Sequence, residues 1–247
     1  MDFMTYSQQS IITDPQQFIS KYENLPATPK ELLLIVQSLV IHGDQGKLYN
    51  VTFSKRQMEE ELLRTVPQML KQLLQIDQSP LSDKRSPNLR LIGMCRDYSL
   101  LLLSFLRYRG IPARLRVGFA NYFQSELMYE DHWLIEYYDR EGHRWVRVDP
   151  QLDDIQKAHY GITFDTVDMP TDSGYLLGGQ AWLLCRSGER HPEDFGYNKN
   201  WKGWHSVKGN LLHDFNSLLG FELLPWDLWT ELSTKKYTAL SRQEKTS

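Results

Sequence analysis

The chain has little of what marks several large classes of protein. It holds only two cysteines in 247 residues, Cys95 and Cys185. That excludes a disulfide-stapled scaffold, and a lone pair is read as two reduced thiols. There is no Cys-x-x-Cys and no His-Glu-x-x-His, and His143, His159, His191, His205 and His213 show no metal spacing. The usual zinc patterns are therefore excluded. A Gly-rich phosphate loop is missing too, since Gly178-Gly179 lacks the rest of any fingerprint. No acidic loop has the spacing of a calcium site. The longest apolar runs, such as Leu32-Leu33-Leu34-Ile35-Val36, are far too short to span a bilayer. With a net charge of −3, no basic excess points to nucleic acid and no acidic block reads as a tail. Met1-Asp2-Phe3-Met4-Thr5-Tyr6 has neither the basic region nor the apolar run of a signal peptide. The expectation is a cytoplasmic protein with no membrane or nucleic-acid partner and no metal or cofactor.

What is present is ordinary for a soluble fold: 41% hydrophobic residues and 24% charged. Neither repeats nor low-complexity tracts divide the chain, so 1–247 is read as a single domain. Residues 14–76 read as helical. Asp14-Pro15 is a helix start, Leu32, Ile35, Val36 and Leu39 share one face, and Met58, Leu62, Leu63, Val66, Leu70, Leu73 and Leu74 another. Pro67 inside the second stretch is expected to kink or divide it. Residues 77–90, with Pro80 and Pro87, read as an exposed loop. Three strands are expected at Leu115–Tyr122, His132–Tyr138 and Arg144–Val148. Residues 151–175 read as a long loop. A C-terminal helical extension covers 176–231, with helices at Ala181–Arg186 and Leu211–Leu219, and the last dozen residues, from Lys235 on, read as frayed.

The stretch Gly93-Met94-Cys95-Arg96-Asp97-Tyr98 runs straight into Leu100-Leu101-Leu102-Leu103-Ser104-Phe105-Leu106. Tyr98, Leu101, Leu102, Phe105 and Leu106 make a broad apolar stripe, and Leu100 and Leu103 widen it nearly all round, so this helix is expected to be central and buried. Gly110 and Pro112 stop it. Cys95 stands where the loop becomes the helix. Unsatisfied N–H groups and partial positive charge at a helix start favour thiolate over thiol, and thiolate is the form that attacks carbonyls. The alternative is a buried structural thiol.

A cysteine nucleophile works best with a neutral imidazole nearby and a third group that fixes the imidazole's tautomer. Asp131-His132-Trp133 and Val148-Asp149-Pro150, on successive strands, offer both. In an antiparallel hairpin the numbers of opposing residues sum to a constant. If Asp139–Gly142 is a four-residue loop, Tyr138 faces His143 and the sum is 281, which puts His132 directly opposite Asp149. A three-residue loop with a Gly142 bulge gives 282 and puts Asp149 opposite Trp133, on the wrong face.

These segments, with Arg109-Gly110-Ile111-Pro112-Ala113-Arg114 and Trp145-Val146-Arg147-Val148-Asp149-Pro150, resemble the core of the transglutaminase-like superfamily. Four motifs fall in order over about residues 90–150; the N-terminal helices and residues 151–247 lie outside the resemblance. It implies an α+β, papain-like fold, with a buried central helix that starts at the cysteine and packs on an antiparallel sheet, and extra helices at both ends. Carried over position by position, Cys95 is the nucleophile, His132 the general base and acid, and Asp149 the orienting group. The absence of paired Cys-x-x-Cys counts against the superfamily's deglycosylating branch.

The implied chemistry is acyl transfer. The donor is a peptide, protein or small-molecule amide, ester or thioester, and the acceptor is water or an amine. Two alternatives stand beside a peptidase, amidase or transglutaminase-like reading. One is an acyltransferase of a small-molecule pathway with a thioester donor. The other is a non-catalytic peptide-binding module on the same fold. Asp97 is expected to serve the helix start rather than the chemistry. Arg114 and Arg116 alternate with apolar neighbours as in a half-exposed strand, with an anionic substrate as a minority reading. Trp182, Trp201, Trp204, Trp226 and Trp229 read as packing, with a cleft wall as the lesser option. Cys185 reads as buried and inert.

Overall fold

The computed structural model describes residues 3–123 and 125–227. Trp229, the end of the 176–231 extension and the tail from Lys235 lie outside the described residues. The chain forms two compact units. The first comprises the chain up to Leu115, Leu134–Pro170 and Gly220–Glu222. The second comprises Arg116–Trp133, Thr171–Leu219 and the chain from Leu223.

In the first unit, helix α1 (Pro29–Leu39) begins on the Thr28 cap, whose hydroxyl accepts the Glu31 N–H at 3.3 Å. It buries Leu32, Leu33, Val36 and Leu39, each side chain stabilising by roughly 1.5–3 kcal/mol. The periodicity over 14–76 does not yield helix throughout. Residues Gln16–Tyr22 are a 3-10 turn, and α1 runs into strand β1 (Val40–His42). After the short helix α2 (Lys55–Met58) and a 3-10 turn at Glu59–Leu62, helix α3 covers Val66–Ile76. Pro67 neither kinks nor divides α3. It sits in the first turn, where a missing N–H costs nothing, behind a Thr65–Gln68 capping box. Strand β2 (Leu91–Gly93) pairs in parallel with β1, Val40 with Leu91 and His42 with Gly93. The segment 77–90 is less exposed than expected. Arg85 is buried, its guanidinium donating to the carbonyls of Leu73 and Asp77 at 2.9 Å each.

Helix α4 (Cys95–Tyr108) is the centre of this unit. Residues Cys95 to Arg107 are all buried, and the helix packs on α1, α3 and the β1/β2 pair. Its buried polar groups are satisfied by chain brought in from elsewhere. Arg107 meets Glu222 Oε1 at 2.8 Å, and the other Glu222 oxygen accepts the Ser10 hydroxyl at 2.7 Å. Three residues, Gly220–Glu222, thus join the first unit between two stretches that belong to the second.

Strands β3 (Ala113–Ala120) and β4 (Tyr129–Asp139) each contribute residues to both units. In the first, β4 pairs antiparallel with β5 (Arg144–Val148) from Ile135 to Asp139. Where a loop was expected, helix α5 (Asp154–Tyr160) forms behind the Asp153 cap, which accepts the Gln156 N–H at 3.0 Å.

In the second unit, strand β6 (Tyr175–Leu177) pairs antiparallel with β3. Helix α6 (Gly178–Ser187) follows, then strands β7 (Phe195–Asn198) and β8 (Trp201–Lys202) and helix α7 (Trp204–Leu218). The strand order is β6-β3-β4-β7-β8. The sheet is mixed rather than antiparallel throughout, because β7 runs parallel to β4, Tyr129 facing Phe195. An aromatic stack fixes that pairing: the Tyr129 and Phe195 rings stack nearly parallel with centroids 4.7 Å apart, and Phe119 is edge-on to Phe195. Gly118 is needed where β6 crosses closest, since a Cβ there would collide with the Leu176 carbonyl.

Candidate active site

Cys95 is the first residue of α4 and 9% exposed. The turn that delivers it is tied by Asp97, whose carboxylate accepts the Met94 N–H at 2.9 Å. Gly93 permits this: a Cβ there would stand 2.9 Å from Asp97 Cβ. Asp97 therefore serves the helix start, as expected from sequence. Burial pushes its carboxyl up, against the opposing pull of the Arg96 guanidinium 3.1 Å away. Arg96 is itself fully buried, and donates to the carbonyls of Leu63, Arg64 and Glu222 at 3.3, 2.7 and 3.2 Å. These bonds pin the first turn of α4 on two sides, so the position of Cys95 is set by buried polar contacts as well as by packing.

A second carboxyl near this turn carries no sequence signal. Glu61 lies in the run Glu59-Glu60-Glu61. Its neighbour Glu60 accepts the Ile92 N–H at 2.8 Å, which draws the turn onto β2. Glu61 comes to lie over Gly43, and a Cβ at Gly43 would collide with its carboxyl oxygen. Burial, with Asp44 and Asp97 adding like charge, pushes Glu61 up to about 7.

Asp149 lies one residue past β5 and is fully buried. Its N–H donates to the Thr166 carbonyl at 3.0 Å, and Oδ1 accepts the Gln151 N–H at 3.1 Å, an Asx turn before α5. The hairpin register differs from the expected one. Tyr138 faces Trp145, not His143, and Ile135 faces Val148, so opposing residues sum to 283 rather than 281. The four-residue loop is 140–143, because Asp139 stays in the strand paired with Arg144, and His143 takes the positive φ of 50°. Extended by one pair, Asp149 falls opposite Leu134 instead of His132. A shift of two preserves side-chain parity.

His132 belongs to the second unit, while Cys95 and Asp149 belong to the first. It is 1% exposed, and its ring is met edge-on by Phe123, Tyr122 and Tyr175, with centroids 4.8, 5.9 and 6.3 Å away. The Tyr175 hydroxyl donates to the His132 carbonyl at 3.2 Å.

Both arginines considered for an anionic substrate are engaged elsewhere. Arg114 binds Glu136 at 2.7 and 2.9 Å and lies 3.9 Å over the Trp145 ring. Arg116 is buried in a bidentate pair with Asp214, at 2.9 and 2.8 Å. Of the tryptophans read as packing, Trp182 and Trp204 pack, whereas Trp226 is exposed. Trp182 and Trp204 meet edge-on at 5.3 Å against the cluster of Phe119, Ala181, Cys185 and Val207. Burial pushes the Cys185 thiol up to about 11, with Asp194 adding to it, so Cys185 is a protonated, poorly nucleophilic thiol at neutral pH. Among the described residues no three His, Cys, Asp or Glu side chains converge as metal ligands, and no helix is long and apolar enough to cross a membrane.

No curated protein matches this sequence significantly. One solved structure, a candidate cysteine protease from Cytophaga hutchinsonii, is 14% identical over 71% of this chain, with a TM-score of 0.40. The match covers 45% of that structure, so this chain spans less than half its length. The model of the transglutaminase-like superfamily matches residues 52–150. The match starts well upstream of the motifs around Cys95 and takes in α2 and α3, which sequence motifs alone left outside. Residues 52–150 are thus similar to the core of the transglutaminase-like superfamily.

Proposed function

We propose that this chain is a cysteine-dependent acyl-group enzyme in which Cys95, His132 and Asp149 act as nucleophile, general base and acid, and orienting group. The observation that carries the reading is the position of Cys95: a thiol at the first residue of a buried helix, inside the segment that matches the superfamily core. Asp149 is fully buried one residue past β5, the strand that pairs with β4.

The chemistry follows from those roles. The Cys95 thiolate bonds to the carbonyl carbon of an amide or related acyl group, and the carbonyl electrons move onto oxygen. In this reading the backbone N–H of Cys95, at the start of α4, donates to that oxygen. As the carbon–nitrogen bond breaks, His132 gives the leaving amine a proton, leaving a thioester. Water or an amine then attacks the thioester and passes its proton to His132, and the thiolate leaves. Hydrolysis (peptidase or amidase) and transfer to an amine share every step but the last. Transfer from a small thioester donor, or peptide binding without chemistry, are the competing readings. The reading places the protein in the cytoplasm, where a nucleophilic thiol stays reduced.

Iodoacetamide labelling from pH 5 to 9, read site by site by mass spectrometry, tests the nucleophile. Cys95 is expected to label well ahead of Cys185 at neutral pH; equal rates sink the enzyme reading. A trapped acyl-enzyme offered water and amines together then separates hydrolase from transferase.

A further inference from the structure

His132 is the middle residue of a three-residue segment that is held from its opposite face. On a strand, Asp131 and Trp133 point away from the side of His132 and toward each other's side. The Trp133 indole N–H donates to Asp131 Oδ1 at 3.0 Å. The Asp131 carboxylate also bonds the Asn210 side chain on α7. Asn210 in turn donates to the Gly118 carbonyl on β3 at 2.8 Å. One carboxylate and one amide thus tie β4, β3 and α7 together directly behind the imidazole. On the other side the Tyr175 hydroxyl holds the His132 carbonyl.

From this geometry we infer that Asp131 is a positioning residue for His132: it locks the backbone of 131–133 against α7 and places a carboxylate one residue from the imidazole. The inference rests on the reading of His132 as the base. Two physical effects follow. A fully connected buried network fixes a rotamer and a strand position more sharply than apolar packing does. An ionised carboxylate beside the imidazole also favours imidazolium, the form that accompanies a thiolate. Burial raises the Asp131 carboxyl to about 6, and the Asn210 bond, His132 and the Trp133 bond each lower it, so the group ionises across the range in which imidazoles titrate. Charged and titratable groups on the same elements include Glu130, Glu136 and Asp139 on β4, Arg114 on β3, His205 and Lys208 on α7, Arg116 and Asp214, which pair with each other, and His213, whose ring lies 5.3 Å from Trp133.

The test uses the full chain and the pH profile of Cys95 alkylation. Asp131→Asn keeps the shape and removes the charge; Trp133→Phe keeps a ring and removes the donor. His132→Gln reports on the underlying reading. The expected result is that His132→Gln slows Cys95 alkylation strongly. Asp131→Asn should slow it by roughly tenfold near pH 6–7, the size of a one-unit displacement, with a smaller shift in the same direction for Trp133→Phe. Thermal unfolding and near-ultraviolet circular dichroism follow the fold, and if Asp131→Asn does not fold, Trp133→Phe decides. If His132→Gln has no effect, the reading of the site fails. If His132→Gln acts but both other variants give the wild-type profile, even with a lowered melting temperature, the inference is overturned.

Discussion

Cys95 and Cys185 carry the same atoms and are expected to behave as different chemical groups. Cys185 packs against Phe119, Phe195 and Val207 with its thiol pushed up to about 11, whereas Cys95 sits at a helix start. Cys95→Ser should therefore remove acyl-enzyme formation and lower turnover by roughly 10⁴ or more. Cys185→Ser should leave turnover unchanged. Intact-mass detection of the acyl adduct checks the pair. Glu61 makes a prediction of opposite kind. Its carboxyl is held near 7 against 4.5 in the unfolded chain, so the folded state binds the proton more tightly. That stabilisation is full below about pH 4.5 and is lost as pH rises through 7. Glu61→Gln keeps the neutral shape, so it should raise the melting temperature at pH 8 and leave it unchanged near pH 4.

At the scale of elements, short buried contacts hold long segments in place. Glu222 is the clearest case: it meets Arg107 on α4 and Ser10 of the N-terminal segment, and all its partners are buried or partly buried. Glu222→Ala leaves the Arg107 charge buried without its carboxylate and should destabilise by about 3–5 kcal/mol in urea denaturation. A cost under ~1 kcal/mol would show that the clasp is dispensable. Gly118 is the matching case in the β3/β6 pair. Gly118→Ala drives a methyl into the Leu176 carbonyl, a backbone atom that cannot rotate away, and about 1–3 kcal/mol of destabilisation is expected. The β4–β5 hairpin shows how an element decides a site. Its strands and its four-residue turn were legible from alternation and from Gly142, but the turn sits one residue later, and the register moves by two. Turn type depends on which residue accepts a positive φ. His143 does so here, a choice that composition does not reveal.

Across the whole molecule the two units should respond to pH with opposite signs. In the second unit, burial holds His213 down at about 4 against 6.5, with a bond to the Pro225 carbonyl opposing. The unfolded chain therefore takes up a proton first, and stability is lost as pH falls from about 6.5 to 4, by roughly 3 kcal/mol. In the first unit, Glu61 gains stabilisation over much the same interval. Hydrogen exchange followed by mass spectrometry from pH 7.5 to 5, corrected for intrinsic rates, should show α7 amides losing protection while β1 and the 59–62 turn gain it. A uniform change across both units would refute the assignment.

Much of this protein was written locally. The order of the segments, the buried helix from Cys95 to its stop at Gly110, the three strands that follow and the burial of Cys185 came from short-range pattern, because periodicity, capping and turn chemistry act over a few residues. The Asp97 cap at the start of α4 was legible for the same reason. What only the tertiary structure decided depends on residues far apart in the chain. Glu61 became a raised carboxyl because folding buries it and brings Asp44 and Asp97 near; Arg116 became a buried partner because α7 brings Asp214; β7 joined β4 in parallel because Phe195 stacks on Tyr129. Burial and charge pairing are properties of assembled neighbours, and no local window contains those neighbours.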